Sequence, residues 1–256
     1  MRIGIITDIH ENVSMLEETL KVAEEHKCDE LACLGDIVGY DTRFYDRSMR
    51  RSAKSCVALV ESHFRWVVAG NHDLNSVARL PSWSNGFEYP EKWFIMSGHE
   101  RKKISSGRVW CYEYDLPNDL SEKEWGYLSR IPEYIIPEPT KDSMLFSHYI
   151  YPDFTGSTTI YIERNQQMKK HWDFMSSNNL KFSFIGHSHS IFAGFAYKDS
   201  GLSVKAFHSL PNNNFFLGEE PVVILLPPLS GDKGKTGFSI FDTSSRRLSL
   251  IATGIS

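Results

Sequence analysis

The sequence has no long apolar run. Its most hydrophobic stretch, PVVILLPPL at 221–229, is broken by prolines and falls well short of the roughly 18–20 residues that a membrane-crossing helix needs. It has no block of like charge either. The formal net charge is −4, and the basic face that non-specific nucleic-acid binding requires is missing, so nucleic acid is not indicated as a partner. Cysteine is scarce. Cys28, Cys33, Cys56 and Cys111 form no C-x-x-C pair and sit mostly among apolar neighbours, which favours reduced, buried thiols over disulfides or metal ligands. The opening MRIGIITDIH reaches an aspartate before a signal-peptide core could form, and the expectation is a cytoplasmic protein. With neither internal repeats nor a low-complexity linker, one domain over 1–256 is the simplest reading.

What is present is an alternation of strand and helix patterns. RIGIIT (2–7) reads as a buried strand. A helix follows with Val13, Leu16, Leu20 and Ala23 at helical spacing, and Ser14 with Glu17 would form its capping box. ELACLG (30–35) is the next strand. Met49, Ala53, Cys56 and Val60 mark a second helix, and WVVAG (66–70) a third strand. This order predicts βαβ units and a parallel sheet. Residues 74–139 differ: they are rich in Trp, Tyr, Pro and Ser, with one convincing short helix begun by Ser121 and Glu124. This segment is expected to be an elaboration near the site. Strands resume at SMLFSH (143–148) and FSFI (182–185), with a helix carrying Met168, Trp172 and Met175 between them. PVVILL and a hairpin turning near Ser244 and Ser245 complete the chain.

The polar residues that follow the apolar strands carry the chemistry. Asp8 and His10 come after the first strand, Asp36 after the second, and Asn71, His72 and Asp73 after the third. His148 follows the fourth, and His187 and His189 the fifth. Strand ends of an open α/β sheet are where sites form. In extended chain, residues i and i+2 point the same way, so Asp8 with His10, and His187 with His189, would each reach one point. Gly35, Gly70 and Gly186 would let the backbone turn sharply just before a ligand. Seven candidate ligands are too many for one small cation. They suit two cations about 3.5–4 Å apart that share a carboxylate.

The pattern D-x-H, G-D, G-N-H-D, a lone H, then G-H-x-H resembles that of the calcineurin-like metallophosphoesterases. It runs here through Asp8-Ile9-His10, Gly35-Asp36, Gly70-Asn71-His72-Asp73, His148 and Gly186-His187-Ser188-His189. The resemblance implies a four-layer α/β/β/α sandwich. It also implies one metal on Asp8, His10, Asp36 and His189, and a second on Asp36, Asn71, His148 and His187, with Asp36 bridging. His72 would lie beside the substrate as a non-ligand. Protein phosphatases of this superfamily carry G-D-x-x-D-R-G, whereas this chain has GDIVGY (35–40), which points to the smaller prokaryotic, phosphodiesterase-like branch.

The activity so implied is hydrolysis of a phosphodiester or nucleotide-type ester by a metal-bound hydroxide, with His72 as general acid. Asp73 is a candidate to orient His72 or raise its pKa. A small-molecule phosphomonoester is the nearest rival substrate. A scaffold that kept the fold but gave up catalysis is the rival from another class. Mixed nitrogen and oxygen ligands suit Mn or Fe, with Zn or Co as alternatives. Asn12 is either a helix cap or a residue facing the site. Arg43 is a candidate phosphate contact, and YPDFTGS (151–157) a candidate substrate wall. GDKGKTG (231–237) lacks the first glycine of a P-loop and reads as a turn. His26, His63, His99, His171 and His208 match no motif and read as surface or core residues.

Overall fold

Every second residue of the first strand faces the same way, and this strand is apolar on both faces. Ile3 and Ile5 enter one core while Ile6 enters another. Strands buried on two sides belong between layers. The computed structural model describes residues 1–45, 50–138, 142–190, 193–198, 205–209, 213–231 and 237–252. The strands are β1 (Arg2–Ile6), β2 (Glu30–Cys33), β3 (Trp66–Val67), β4 (Tyr134–Ile135), β5 (Met144–Ser147) and β6 (Phe182–Ile185), then β7 (Gly194–Tyr197), β8 (His208–Ser209), β9 (Asn214–Phe216), β10 (Val222–Leu225), β11 (Gly237–Asp242) and β12 (Arg247–Ala252).

They form two sheets, in the orders β3-β2-β1-β11-β12-β9 and β4-β5-β6-β10-β7-β8. Within the first sheet β1, β2 and β3 are parallel, and within the second β5, β6 and β10 are. The sheets face each other across a shared core. Ile3, Ile5, Phe241 and Leu248 come from one, and Phe146, Phe182, Phe184 and Ile224 from the other. The C-terminal hairpin pairs Asp242 with Arg247, so its turn carries Ser244 and Ser245 as expected.

The helices are α1 (Val13–Glu25), α2 (Ala53–His63), α3 (Asn71–Ser76), α4 (Gly98–Ser105), α5 (Glu122–Leu128) and α6 (Lys169–Ser177), of which α1, α2, α5 and α6 cover the outer faces. Leu16, Cys56, Val60 and Leu128 pack on the first sheet, while Trp172 and Met175 pack on the second. The result is the α/β/β/α sandwich. One sequence expectation changes. The cap of α1 is Asn12, whose side chain accepts the N–H of Met15 at 3.1 Å, rather than a Ser14–Glu17 box. The cap of α2 is Ser52; Met49, expected on this helix, lies outside the described residues. The Ser121–Glu124 box on α5 forms as expected. All four cysteines are free thiols. Among the described residues no helix is long and apolar enough to cross a membrane.

His171 illustrates how buried polarity is satisfied. Nδ1 accepts the N–H of Tyr151 at 2.9 Å, and Nε2 donates to Ser183 Oγ at 3.0 Å. It ties α6 to β6 and to the loop after β5. His26, His63, His99 and His208 are exposed. Burial pushes the His171 imidazole down to about 3 from 6.5, so the folded chain keeps it neutral. Between these values the unfolded chain binds the extra proton, and stability falls with falling pH by up to about 1.4 kcal/mol per pH unit. We expect His171→Gln in chelator-treated protein to cost about 1–3 kcal/mol at pH 8. That deficit should shrink as pH falls below 6.5, because the variant has no such group to titrate. Urea unfolding of both proteins from pH 8 to pH 5 measures this; a constant gap would contradict it.

Candidate metal centre

The parallel strands deliver the polar residues to one place, but not by extended backbone. Asp8 (φ 56°), His10 (φ 46°), Asp36 (φ 52°), His187 (φ 67°) and His189 (φ 47°) all lie in the left-handed region. The i, i+2 pairs therefore converge by turning immediately after the strand. Gly35 makes a true positive-φ turn at +93°. Gly70 and Gly186 do not; they are small because of close approach. A Cβ on Gly70 would lie 2.2 Å from Asp36 Oδ1, and one on Gly186 would lie 1.9 Å from Thr7 Oγ1.

Among the described residues three groups of donors could each surround an ion: Asp8, His10 and His189; His10, Asp36 and His72; and Asp36, His148 and His187. The orientations are set by hydrogen bonds on the far side of each side chain. His10 Nδ1 donates to Gly39 O and His148 Nδ1 to Leu34 O, both at 2.7 Å, which leaves Nε2 of each facing inward. Asp8 Oδ2 accepts from Thr7 Oγ1 at 2.8 Å and from the His187 N–H at 3.1 Å, leaving Oδ1 to the cluster. Asp36 Oδ1 accepts the His72 N–H at 2.9 Å. Its Oδ2 lies 3.8 Å from His10 Nε2 and 3.1 Å from His148 Nε2, between the two halves.

These residues fit bound metal. Among the described residues Asp8 Oδ1, Asn71 Oδ1 and His148 Nε2 are buried without a well-formed hydrogen bond, though His189 Nε2 lies 3.2 Å from Asp8 Oδ1 and Asp36 Oδ2 3.1 Å from His148 Nε2. An atom left so costs about 1–3 kcal/mol. His10 Nε2 and His189 Nε2 are only 3.3 Å apart, a separation that a shared cation or a shared proton explains. Electrostatics agree. Burial alone would raise the Asp8 and Asp36 carboxyls, but the imidazoles around them hold both well below the usual range. Burial pushes His10 down, and His187 down to about 3. Burial also works against charge on His148, yet Asp36 and Asp8 lift it to about 9. In the metal-free cluster a proton on His148 thus stands where cationic charge is wanted.

His72 opens α3 and is not held as the sequence suggested. Asp73 turns away: Oδ1 accepts the N–H groups of Ile37 and Val38 at 2.9 and 3.1 Å, and Oδ2 accepts that of Gly70 at 2.9 Å. The orienting carboxylate is Asp115, from the elaborated segment, with Oδ2 2.7 Å from His72 Nδ1. That segment is pinned at Leu116 N–H to Tyr40 O (2.9 Å) and by Arg51, which joins Glu11 to Pro117 O. Burial works against charge on His72, but Asp115 and Asp36 raise it to about 10. The Tyr112 ring packs edge-on to His72 at 5.0 Å.

Around the cluster opens a cleft of about 640 Å³, lined among others by Arg43, Phe44, Tyr45, Trp110, Tyr112, Asp115 and Tyr161. Arg43 reaches it but is clasped by Asp41, Nε to Oδ1 at 3.0 Å, and lies over the Tyr114 ring at 4.0 Å. Asn12 caps α1. The 151–157 stretch packs behind His187, since a Cβ on Gly156 would meet its ring at 2.6 Å. The Asp115 contact yields a prediction for metal-free protein. Asp115→Asn removes the negative charge beside Nδ1, so the His72 imidazole should titrate well below its wild-type position near 10. A ¹H–¹⁵N imidazole titration reads this directly, and an unmoved midpoint would show that Asp115 does not govern His72.

Comparison with known proteins agrees with this geometry. An uncharacterized protein of Methanocaldococcus jannaschii is 20% identical over 97% of this chain and 86% of its own length. A solved metallophosphoesterase from Sphaerobacter thermophilus superposes with a TM-score of 0.68 at 21% identity, covering 98% of this chain and 86% of that one. A hypothetical protein from Pyrococcus horikoshii gives 0.60 at 13% identity, covering 100% and 88%. At these identities the structural likeness is one of fold. The family model for calcineurin-like phosphoesterases carries more, because it matches residues 1–190 and so takes in every strand end of the cluster. By that match this chain belongs to the calcineurin-like phosphoesterase family, the metal-dependent hydrolases of phosphoric esters.

Proposed function

We propose that the chain hydrolyses phosphodiesters, nucleotide-type esters among them, with two cations bound at the strand-end cluster. The observation that carries this reading is the convergence of two donor sets on one carboxylate oxygen, Asp36 Oδ2. Asp8, His10, Asp36 and His189 would hold one ion, and Asp36, Asn71, His148 and His187 the other. Mixed imidazole and oxygen donors suit Mn or Fe, or the neighbouring Zn and Co. When bound, such a pair polarises phosphate oxygens and lowers the pKa of a shared water from near 16 toward neutrality. Free thiols and the absence of a membrane-crossing helix among the described residues fit a cytoplasmic enzyme.

The chain's own residues do the rest. His10 and His148 are locked as the tautomers that turn Nε2 inward. His72 holds a proton beside the cluster, and Asp115 keeps its Nδ1 engaged so that Nε2 is the edge available to a departing oxygen. A diester is favoured over a monoester on charge. Among the described lining residues outside the donor sets and His72, Arg43 is the one cation, and Asp41 already pairs with it. The additional charge of a monoester finds no free partner there.

The test compares bis- and mono-p-nitrophenyl phosphate on metal-loaded wild type, His72→Ala and Asp36→Asn. Wild type should prefer the diester, and Asp36→Asn should lose metal and turnover together. His72→Ala should keep both metals and lose about 10²–10⁴ in rate on esters with poor leaving groups, and less on p-nitrophenyl esters. Equal loss on every leaving group would remove His72 as the acid. Metal-loaded wild type inert on both substrates would remove the hydrolase reading.

A further inference from the structure

The cleft has an aromatic side that the chemistry described above does not use. Tyr161 lines it with 53% of its surface exposed, a large ring left open to solvent. The ring is nearly parallel to the His187 imidazole, 21° at 6.4 Å, so it sits on the His187 flank of the cluster. Trp110 meets it edge-on at 6.2 Å. The Trp110 indole N–H is buried with no acceptor in the chain among the described residues, which is rare for a buried donor. This wall is pre-formed. The Trp110 backbone N–H donates to Ser157 O at 3.1 Å, Val109 bridges Thr158, and the Thr159 backbone N–H donates to Arg108 O at 3.1 Å. His72 packs edge-on against Tyr112 at 5.0 Å.

We infer that Tyr161 and Trp110 form a subsite for a planar aromatic group on the non-leaving arm of the diester, the arm opposite the one that departs beside His72. Tyr161 supplies the stacking face. The Trp110 N–H supplies a donor for a heteroatom such as the carbonyl oxygen or ring nitrogen of a nucleobase. The inference rests on the phosphodiesterase reading and names the substrate class within it: esters of one phosphate carrying an aryl or nucleoside arm. Stacking on one aromatic side chain is worth roughly tenfold or more in affinity.

The experiment holds the leaving group constant. Metal-loaded enzyme is assayed on methyl p-nitrophenyl phosphate, phenyl p-nitrophenyl phosphate and thymidine 5′-p-nitrophenyl phosphate. The phenyl ester should exceed the methyl ester in kcat/KM by roughly tenfold or more. Tyr161→Ala should bring that ratio toward one, and Tyr161→Phe should preserve it. A thymidine ester above the phenyl ester, with the excess lost in Trp110→Phe, identifies a nucleoside as the arm; a thymidine ester equal to the phenyl ester identifies a plain aryl arm. A wild-type ratio near one, or a ratio untouched by Tyr161→Ala, overturns the subsite and leaves the hydrolase standing. No turnover on any of the three esters overturns both.

Discussion

The structure turns on a largely buried cluster of donors at the strand ends, several of whose atoms lack a hydrogen-bond partner among the described residues. Asp8 and Asp36 are buried carboxylates, and the Nδ1 atoms of His10 and His148 are committed to backbone carbonyls, so that Nε2 of each faces those carboxylates. Buried polar atoms normally find partners, and here Asp8 Oδ1, Asn71 Oδ1 and His148 Nε2 make no well-formed hydrogen bond among the described residues. Such a cluster is costly until positive charge enters it. Its pKa pattern says the same: the carboxylates are held ionised, His187 is held neutral, and His148 and His72 are held protonated, as stand-ins for that charge.

The fold meets this cost with backbone as well as side chains. Five of the candidate ligands adopt left-handed φ angles, a conformation that costs a non-glycine residue about 1–2 kcal/mol. Two large sheets, packed face to face through Phe146, Phe184, Phe241 and their neighbours, supply the stability that holds those turns. The parallel strands β1, β2 and β3 of one sheet and β5 and β6 of the other point their C-terminal ends at the same spot. Close approach without side chains at Gly70 and Gly186 lets the two halves meet.

The strand order and the strand-end donors were legible because both are written locally: an apolar run, then a polar residue at a fixed offset. The means of convergence was not. Period-two alternation suggested extended chain at Asp8–His10 and His187–His189, and a left-handed turn leaves no mark in residue identity when the residue is Asp or His rather than Gly. The partner of His72 was also hidden. Asp73 is adjacent in sequence, yet the opening of α3 turns its carboxylate back onto backbone N–H groups. Asp115 arrives from a distant segment whose position depends on Arg51 bridging Glu11 and Pro117. Long-range pairing also brings Trp110 to the cleft beside Tyr161, through its backbone N–H to Ser157 O. Similarly, α4 carries few apolar residues and is set by its Ser97–Glu100 cap, so hydrophobic spacing passed over it.

The central claim is that Asp36 Oδ2 is the shared point of two cation sites. Anomalous diffraction from crystals of the manganese-loaded protein tests it most directly. Two peaks about 3.5–4 Å apart are expected. One should lie among Asp8, His10 and His189, the other among Asn71, His148 and His187, with Asp36 between them. A single peak, or a second peak away from Asp36, would contradict the account.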